Sequence, residues 1–253
     1  MTVQYLGGPT ALIEVAGLRL LTDPTFDPPG DYPIGSRSLT KTIGPVFGPG
    51  DIGDVDAVLL SHDQHPDNLD RKGRALLDRV PLTLSTPSAA GRIGGAVRGL
   101  SPWEHTDLAR PDGGTLRVTA VPARHGPPGC EPMTGEVTGF VLHGQHVPTV
   151  YIGGDNAADE HVESVAERFR PVDLALLFAG AARTALMDGA PLTLTSEQAA
   201  RAARTLGARR VIPLHFEGWA HFSEGRQSLL DAFAAAGLTE RVTLLELGAQ
   251  VVA

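Results

Sequence analysis

The sequence contains one cysteine, Cys130, two lysines, and no apolar stretch long enough to cross a bilayer. A lone thiol excludes an intrachain disulfide and any zinc site built from cysteines. Cys130 reads as a solitary loop residue rather than a nucleophile. With so few lysines, scattered arginines and a formal charge of -8, no basic face presents itself to phosphates. Nucleic acid is therefore not the expected partner. A membrane-spanning helix needs about 20 consecutive apolar residues, so stable membrane insertion is not expected either. The opening MTVQYLGGPT has neither the charged start nor the apolar centre of a signal peptide. These absences lead to the expectation of a soluble cytoplasmic protein. A homo-oligomer is compatible with them.

What is present is a chain of 253 residues, 42% hydrophobic, enough for a substantial core. TALIEVAGLRLLTD (10–23) alternates on either side of Ala16 and Gly17 and predicts a β-hairpin. DAVLLS (56–61) and VDLALLFAG (172–180) are short unbroken apolar runs, the pattern of strands buried on both faces. PLTLST (81–86), GTLRVTAVPA (114–123), VTGFVLHG (137–144) and TVYIGG (149–154) read as further strands, as do RRVIPLHFEG (209–218) and RVTLLEL (241–247). Helices are expected at about 69–78, 157–169, 195–207 and 225–236. The third of these opens on Thr195 or Ser196 as N-cap and closes on Gly207. Residues 24–54, rich in Pro and Gly, predict a long loop of the kind that serves as a lid. No repeat of roughly 20–50 residues is visible, and no linker divides the chain. The expectation is one domain over 1–253, two sheets packed together with helices outside.

Metal-type ligands fall at strand ends. His62 follows DAVLL, His125 follows LRVTAVPAR, Asp155 follows TVYIGG and His215 follows RVIPL. Sheet-based folds gather functional groups beyond their strand ends, where loops leave room. Imidazole and carboxylate together suit zinc, manganese or iron, and an aspartate can bridge two ions. Taken singly, each residue has another reading: a hydrogen-bonded loop histidine, or an Asx-turn for Asp155. Taken together with LLSHDQHPDNLD (59–70), they predict a metal centre.

The order SHDQHPDNLD, PARHGP, YIGGDN and IPLHFEGW, with LLTDP (20–24) upstream, resembles the metallo-β-lactamase fold superfamily. Within it, the similarity is to the branch of L-ascorbate-6-phosphate lactonases and N-acyl-phosphatidylethanolamine phospholipase D-like proteins. The resemblance runs from Leu6 to the last strand. It implies an α+β fold, a four-layer αββα sandwich, with one or two divalent ions at one edge between the sheets. Zinc is the first expectation, with manganese and iron as alternatives.

The superfamily motif is HxHxDH, and this chain departs from it. Counting from His62, Gln64 stands at the second histidine position and Pro66 at the aspartate position. With one residue inserted, His65, Asp67 and Asn68 take the places of the second histidine, the aspartate and the last histidine. The resemblance then implies one metal on His62, His65 and His125, with Asp155 bridging. It implies a second metal on Asp67, Asp155 and His215, with Asn68 where a histidine is usual. An amide oxygen is a weaker ligand than imidazole, so the second site is expected to be the weaker. If the insertion lies elsewhere, Gln64 rather than His65 enters the shell. Asp23 is expected to support a ligand from behind. Asp63 and Asp70 share that expectation, Asp70 with helix capping as its alternative.

The resemblance further implies a hydrolase in which metal-bound hydroxide attacks a small ester, lactone or phosphodiester, with Asp67 orienting it and carrying a proton. Phe26, Trp219, His221 and Phe222 are expected around the substrate pocket, with loop packing as the alternative for the aromatics. The remaining histidines, at 105, 143, 146 and 161, are expected to face water. Two other classes stay open: a metal or ligand binding protein without turnover, and a di-iron redox relative. Gln64 disfavours the second, because those members usually carry a carboxylate two residues after the first histidine.

Overall fold

Burial alternates along the strands, and this alternation separates the layers. In a computed structural model that describes residues 1–253 apart from the side chain of Leu186, the chain opens with β1 (Thr2–Gly7), β2 (Thr10–Val15) and β3 (Leu18–Thr22). There follow β4 (Gly30–Ile34), β5 (Arg37–Lys41), β6 (Ala57–Leu59), α1 (Arg71–Leu77), β7 (Thr83–Ser85), α2 (Pro87–Ile93) and β8 (Val97–Gly99). The middle of the chain holds β9 (His105–Ala109), β10 (Thr115–Pro122), α3 (Glu131–Thr134), β11 (Thr138–Gly144) and β12 (Val147–Ile152). The rest is α4 (Asp159–Phe169), β13 (Leu174–Phe178), α5 (Ser196–Thr205), β14 (Arg210–Leu214), α6 (Arg226–Ala235) and β15 (Gln250–Val252).

One sheet has the order β15-β1-β2-β3-β6-β7-β8 and the other β14-β13-β12-β11-β10-β9. Leu20, Leu59, Phe140, Ile152, Leu176 and Ile212 meet between the sheets. Their neighbours in sequence point the other way. Leu21, Val58 and Leu60 pack outward with Leu76 and Leu77 of α1. Val141, Tyr151, Ala175, Leu177 and Val211 pack outward with Val162 of α4, Ala199 of α5 and Phe233 of α6. This period-two alternation, with both faces buried, makes a four-layer αββα sandwich from runs that look continuously apolar in sequence.

Two expectations are corrected. The segment 24–54 is not all loop, because β4 and β5 pair as an antiparallel hairpin with Ile34 opposite Arg37. A buried ion pair, Lys41 Nζ to Asp70 Oδ2 at 3.6 Å, clasps this hairpin to the start of α1. The segment 241–247 is not a ladder strand. Among the described residues its one pairing is a bridge from Val242 to Val211, and the last strand is β15, antiparallel to β1. Its alternation is explained by packing instead, since Leu245 enters the space between the sheets while Leu244 packs on the helical side.

Helix α1 comes so close to the preceding loop that a Cβ on Gly73 would lie 1.8 Å from the Pro24 carbonyl oxygen. In α2, a Cβ on Gly91 would meet nothing within 4 Å. Gly73→Ala is therefore expected to lower stability by about 1–3 kcal/mol through overpacking. Gly91→Ala should raise it by about 0.5–1 kcal/mol through helix propensity. Urea unfolding midpoints of the two variants check both signs.

Candidate metal centre

Strand direction explains why the chemistry collects at one edge. β3, β6 and β7 are parallel to one another, as are β12, β13 and β14. β10 runs the same way as β12, since β11 lies antiparallel to both. The carboxyl ends of β3, β6, β10, β12 and β14 thus deliver Asp23, His62, His125, Asp155 and His215 to the same side. The backbone bends sharply at two of these exits, with φ of 28° at Asp23 and 54° at His215. Left-handed geometry at a non-glycine residue costs on the order of 1 kcal/mol. It is held by Asp23 N–H donating to the Leu59 carbonyl (3.1 Å) and His215 N–H donating to that of Gly8 (2.8 Å). Gly154 lets the sheets close here. A Cβ on it would lie 2.6 Å from the Thr138 carbonyl oxygen and 3.0 Å from Ser61 Cβ.

Three imidazoles converge at this edge. His65 Nδ1 lies 2.8 Å from His62 Nε2 and 3.2 Å from His125 Nε2. Asp155 Oδ2 is 3.5 Å from His125 Nε2, and one ligand atom from each of the four residues falls within 4.8 Å of the others. The outer nitrogens set the tautomers. His125 Nδ1 is 2.7 Å from the Leu192 carbonyl, which can only accept, so Nδ1 carries the proton and Nε2 presents a lone pair. Ser61 Oγ donates to Asp23 Oδ2 at 2.8 Å, so it accepts from His62 Nδ1 at 3.0 Å. His62 Nε2 is therefore bare as well. His65 Nδ1 can supply at most one proton to two lone pairs. Burial, then the neighbouring imidazoles, hold His62 well below the usual histidine range, and burial with His125 takes His65 down to about 4. Neutral, inward-facing imidazoles beside the unpartnered Asp155 Oδ2 are what a divalent cation requires.

A second group adjoins the first. Asp67 Oδ2 lies 3.1 Å from His221 Nε2 and 3.4 Å from His215 Nε2, and the latter is 3.5 Å from Asp155 Oδ1. Burial is the largest single influence and opposes ionisation of both carboxyls, but His215 together with His221 at Asp67, and with His125 and His62 at Asp155, outweighs it. Both carboxyls end well below their usual range. Burial likewise opposes a charge on His215, but Asp155 and Asp67 prevail and push it up to about 10. Asn68 Nδ2 donates to Asp155 Oδ1 at 3.1 Å and Asp23 Oδ2 at 3.3 Å, leaving its Oδ1 buried without a partner. Asp23, pushed up to about 7 by burial, also accepts from the Ser61 amide at 2.6 Å.

Other expected site residues lie elsewhere. Gln64 runs against Gly135. Asp63 is held by the Arg92 guanidinium. Asp70 caps α1 through the Gly73 amide (2.8 Å) and faces Lys41, so it supports the hairpin rather than the histidines. Phe26 is fully buried under the first sheet, and Trp219 packs edge-on to Tyr32 at 5.7 Å. Phe222 packs its ring edge-on to His215 and at a tilt to His221. None of these three aromatics lines the cleft at the site. That cleft, about 470 Å³ counting space open to solvent, is bounded by His65, Asp67, His125 and His221. Its walls come from Ile34, Arg37 and Leu39 of the hairpin, and from Met133, Thr134, Met187 and Leu192. His105 and His146 face water as expected, whereas His143 and His161 are half-buried. Sequence reasoning missed Ser61, though it directly precedes His62. It had no signal for the Leu192 carbonyl.

A family model described as beta-lactamase superfamily domain matches residues 18–216. A metal-dependent hydrolase of Pyrococcus abyssi is 26% identical over 223 residues, covering 86% of this chain and 85% of the relative. The crystal structure of isothiocyanate hydrolase from Delia radicum gut bacteria superposes with a TM-score of 0.82 at 21% identity, over 100% of this chain and 99% of that one. A diiron beta-hydroxylase from Streptomyces venezuelae gives 0.73 at 17% identity, over 99% of this chain and 53% of its own. At such identities the solved structures speak to the fold, and they share the sandwich.

Ser61 carries the Asp23 carboxylate's influence to the His62 ring. Removing it in Ser61→Ala frees the Nδ1 proton and the ring orientation. Zinc affinity is expected to fall by about 10–100-fold, as for other partners behind a ligand, measured by competition with a chromophoric chelator. Unchanged affinity would show that the relay does not hold the ring.

Proposed function

The chain belongs to the beta-lactamase superfamily domain family, and on that premise we propose that it is a metal-dependent hydrolase of a small ester, lactone or phosphodiester. In substrate class it is placed beside the L-ascorbate-6-phosphate lactonases and N-acyl-phosphatidylethanolamine phospholipase D-like proteins, with 1–253 acting as one domain. The observation that carries this reading is the meeting of His62 Nε2, His65 Nδ1 and His125 Nε2 beside Asp155, more lone pairs than protons. His62, His65, His125 and Asp155 would hold one ion, zinc in preference to manganese or iron. Asp67, Asp155 and His215 would contribute to a second.

When bound, a divalent ion activates water, lowering its pKa from about 15.7 towards roughly 7, and polarises the scissile group. The chain's own residues do the rest. Asp67 lines the cleft with a carboxyl that its two histidine neighbours keep ionised, so it can accept a hydrogen bond from water and orient it. Its Oδ1 has no hydrogen-bond partner and is free to take one. Leu39, Met133, Met187 and Leu192 give the cleft apolar walls that suit a small organic body. Among the described residues no helix is long and apolar enough to cross a membrane.

The test is steady-state kinetics of Asp67→Asn against a panel of lactones, esters and phosphodiesters, with bound metal measured in parallel. Turnover is expected to fall by about 10²–10⁴-fold, more than KM changes, because the carboxylate's contribution is largest in the transition state. Metal retained with turnover unchanged would remove Asp67 from the mechanism.

A further inference from the structure

We propose that His221 is a metal ligand, its Nε2 occupying in the second site the position that Asn68 leaves without an imidazole. The proposal rests on the metal-dependent reading above and goes beyond it by reassigning the ligand set.

The loop that carries His221 is fixed from both sides. Its carbonyl accepts from the Arg183 amide at 3.0 Å, and the Ala220 amide donates to the Thr40 carbonyl at 2.9 Å. Phe222 bridges to Ala182, and the Phe222 ring lies 4.6 Å from the His221 ring, centroid to centroid. The side chain is 12% exposed, at the wall of the cleft. It therefore reaches the site from a rigid support rather than from a free loop.

Each neighbouring pair of donors stands at a distance that two ligands of one ion share. His221 Nε2 to Asp67 Oδ2 is 3.1 Å, Asp67 Oδ2 to His215 Nε2 is 3.4 Å, and His215 Nε2 to Asp155 Oδ1 is 3.5 Å. Tetrahedral ligands at about 2.0–2.1 Å from zinc stand roughly 3.4 Å from each other. Of these four atoms His215 Nε2 has no hydrogen-bond partner, while Asp155 Oδ1 also accepts from Asn68 Nδ2. Two imidazoles and two carboxylates form a ligand set for a borderline divalent cation such as zinc.

Asn68 turns its amide nitrogen, not its oxygen, towards Asp155. Its Nδ2 points at Asp155 Oδ1 and Asp23 Oδ2, and an amide nitrogen has no lone pair to give a metal. Turning the amide over would set Oδ1 against both carboxylates, lone pair to lone pair. The orientation is thus fixed chemically. Asn68 is a positioning residue, donating one amide to the carboxylate that lies between the two groups.

The experiment is a titration of the full chain, stripped with chelator, with zinc alone and then with cobalt. Isothermal calorimetry counts the events, and visible absorption of the cobalt form reports coordination. The wild type is expected to bind two ions. Loss of a partner behind a ligand costs about 10–100-fold, so loss of a ligand should cost at least about 100-fold. His221→Ala should therefore weaken the second event by that factor and leave the first unchanged, with the second cobalt absorption band lost. His221→Gln, which keeps the side-chain bulk, should behave alike, which separates ligation from packing. Second-event affinity within twofold of wild type in both variants would overturn the proposal. So would a single binding event in the wild type, although the hydrolase reading would survive it. Absence of both events in the wild type would sink the hydrolase reading as well.

Discussion

The proton on His62 Nδ1 is committed to Ser61 and through it to Asp23, and the proton on His125 Nδ1 is committed to the Leu192 carbonyl. Both imidazoles must then face each other's neighbourhood with bare nitrogens, inside a region that burial has stripped of water. Desolvation keeps the His62 ring neutral, and rings whose outer nitrogens are tied by hydrogen bonds are preorganised ligands. Much of the surrounding structure serves this condition. The parallel arrangement of β3 with β6, and of β12 with β13 and β14, sends the chain out at one edge. The left-handed turns at Asp23 and His215 then aim their side chains back across it. Such backbone strain is tolerated where hydrogen bonds hold it and function uses it.

The two neighbouring groups differ in electrostatic character. The His62, His65 and His125 group is imidazole-rich, and burial holds His62 and His65 below the usual histidine range. The Asp67, Asp155 and His215 group is carboxylate-rich, and its histidine is driven towards the charged form by the acids around it. Asp155 belongs to both, reaching His125 with Oδ2 and His215 with Oδ1. The Asn68 amide then takes up part of the charge that Asp155 would otherwise present to Asp23.

Much of this was legible in the sequence because strands carry their own period. Val58, Leu59 and Leu60 alternate between two cores, so DAVLL could be read as a strand buried on both sides, and His62 as its exit. The same logic located His125, Asp155 and His215. Direction within loops has no such period. Nothing in HPDNLD says that Asp70 turns towards α1 and Lys41 while Asp67 turns towards His215 and His221. Nor does the spacing of Phe26, Trp219 and Phe222 say that they pack inward while Ile34, Met133 and Met187 face the cleft. The hairpin β4–β5 was hidden by Pro33 and its glycines, and β8, three residues long, is too short to show alternation.

The most direct test of the metal reading is anomalous diffraction from crystals of zinc-loaded protein, recorded on both sides of the zinc absorption edge. The account predicts a peak within coordination distance, about 2.0–2.1 Å, of His62 Nε2, His65 Nδ1 and His125 Nε2, with Asp155 Oδ2 completing the shell. A map without a peak among these four residues, with the rings still in the arrangement described, would contradict it.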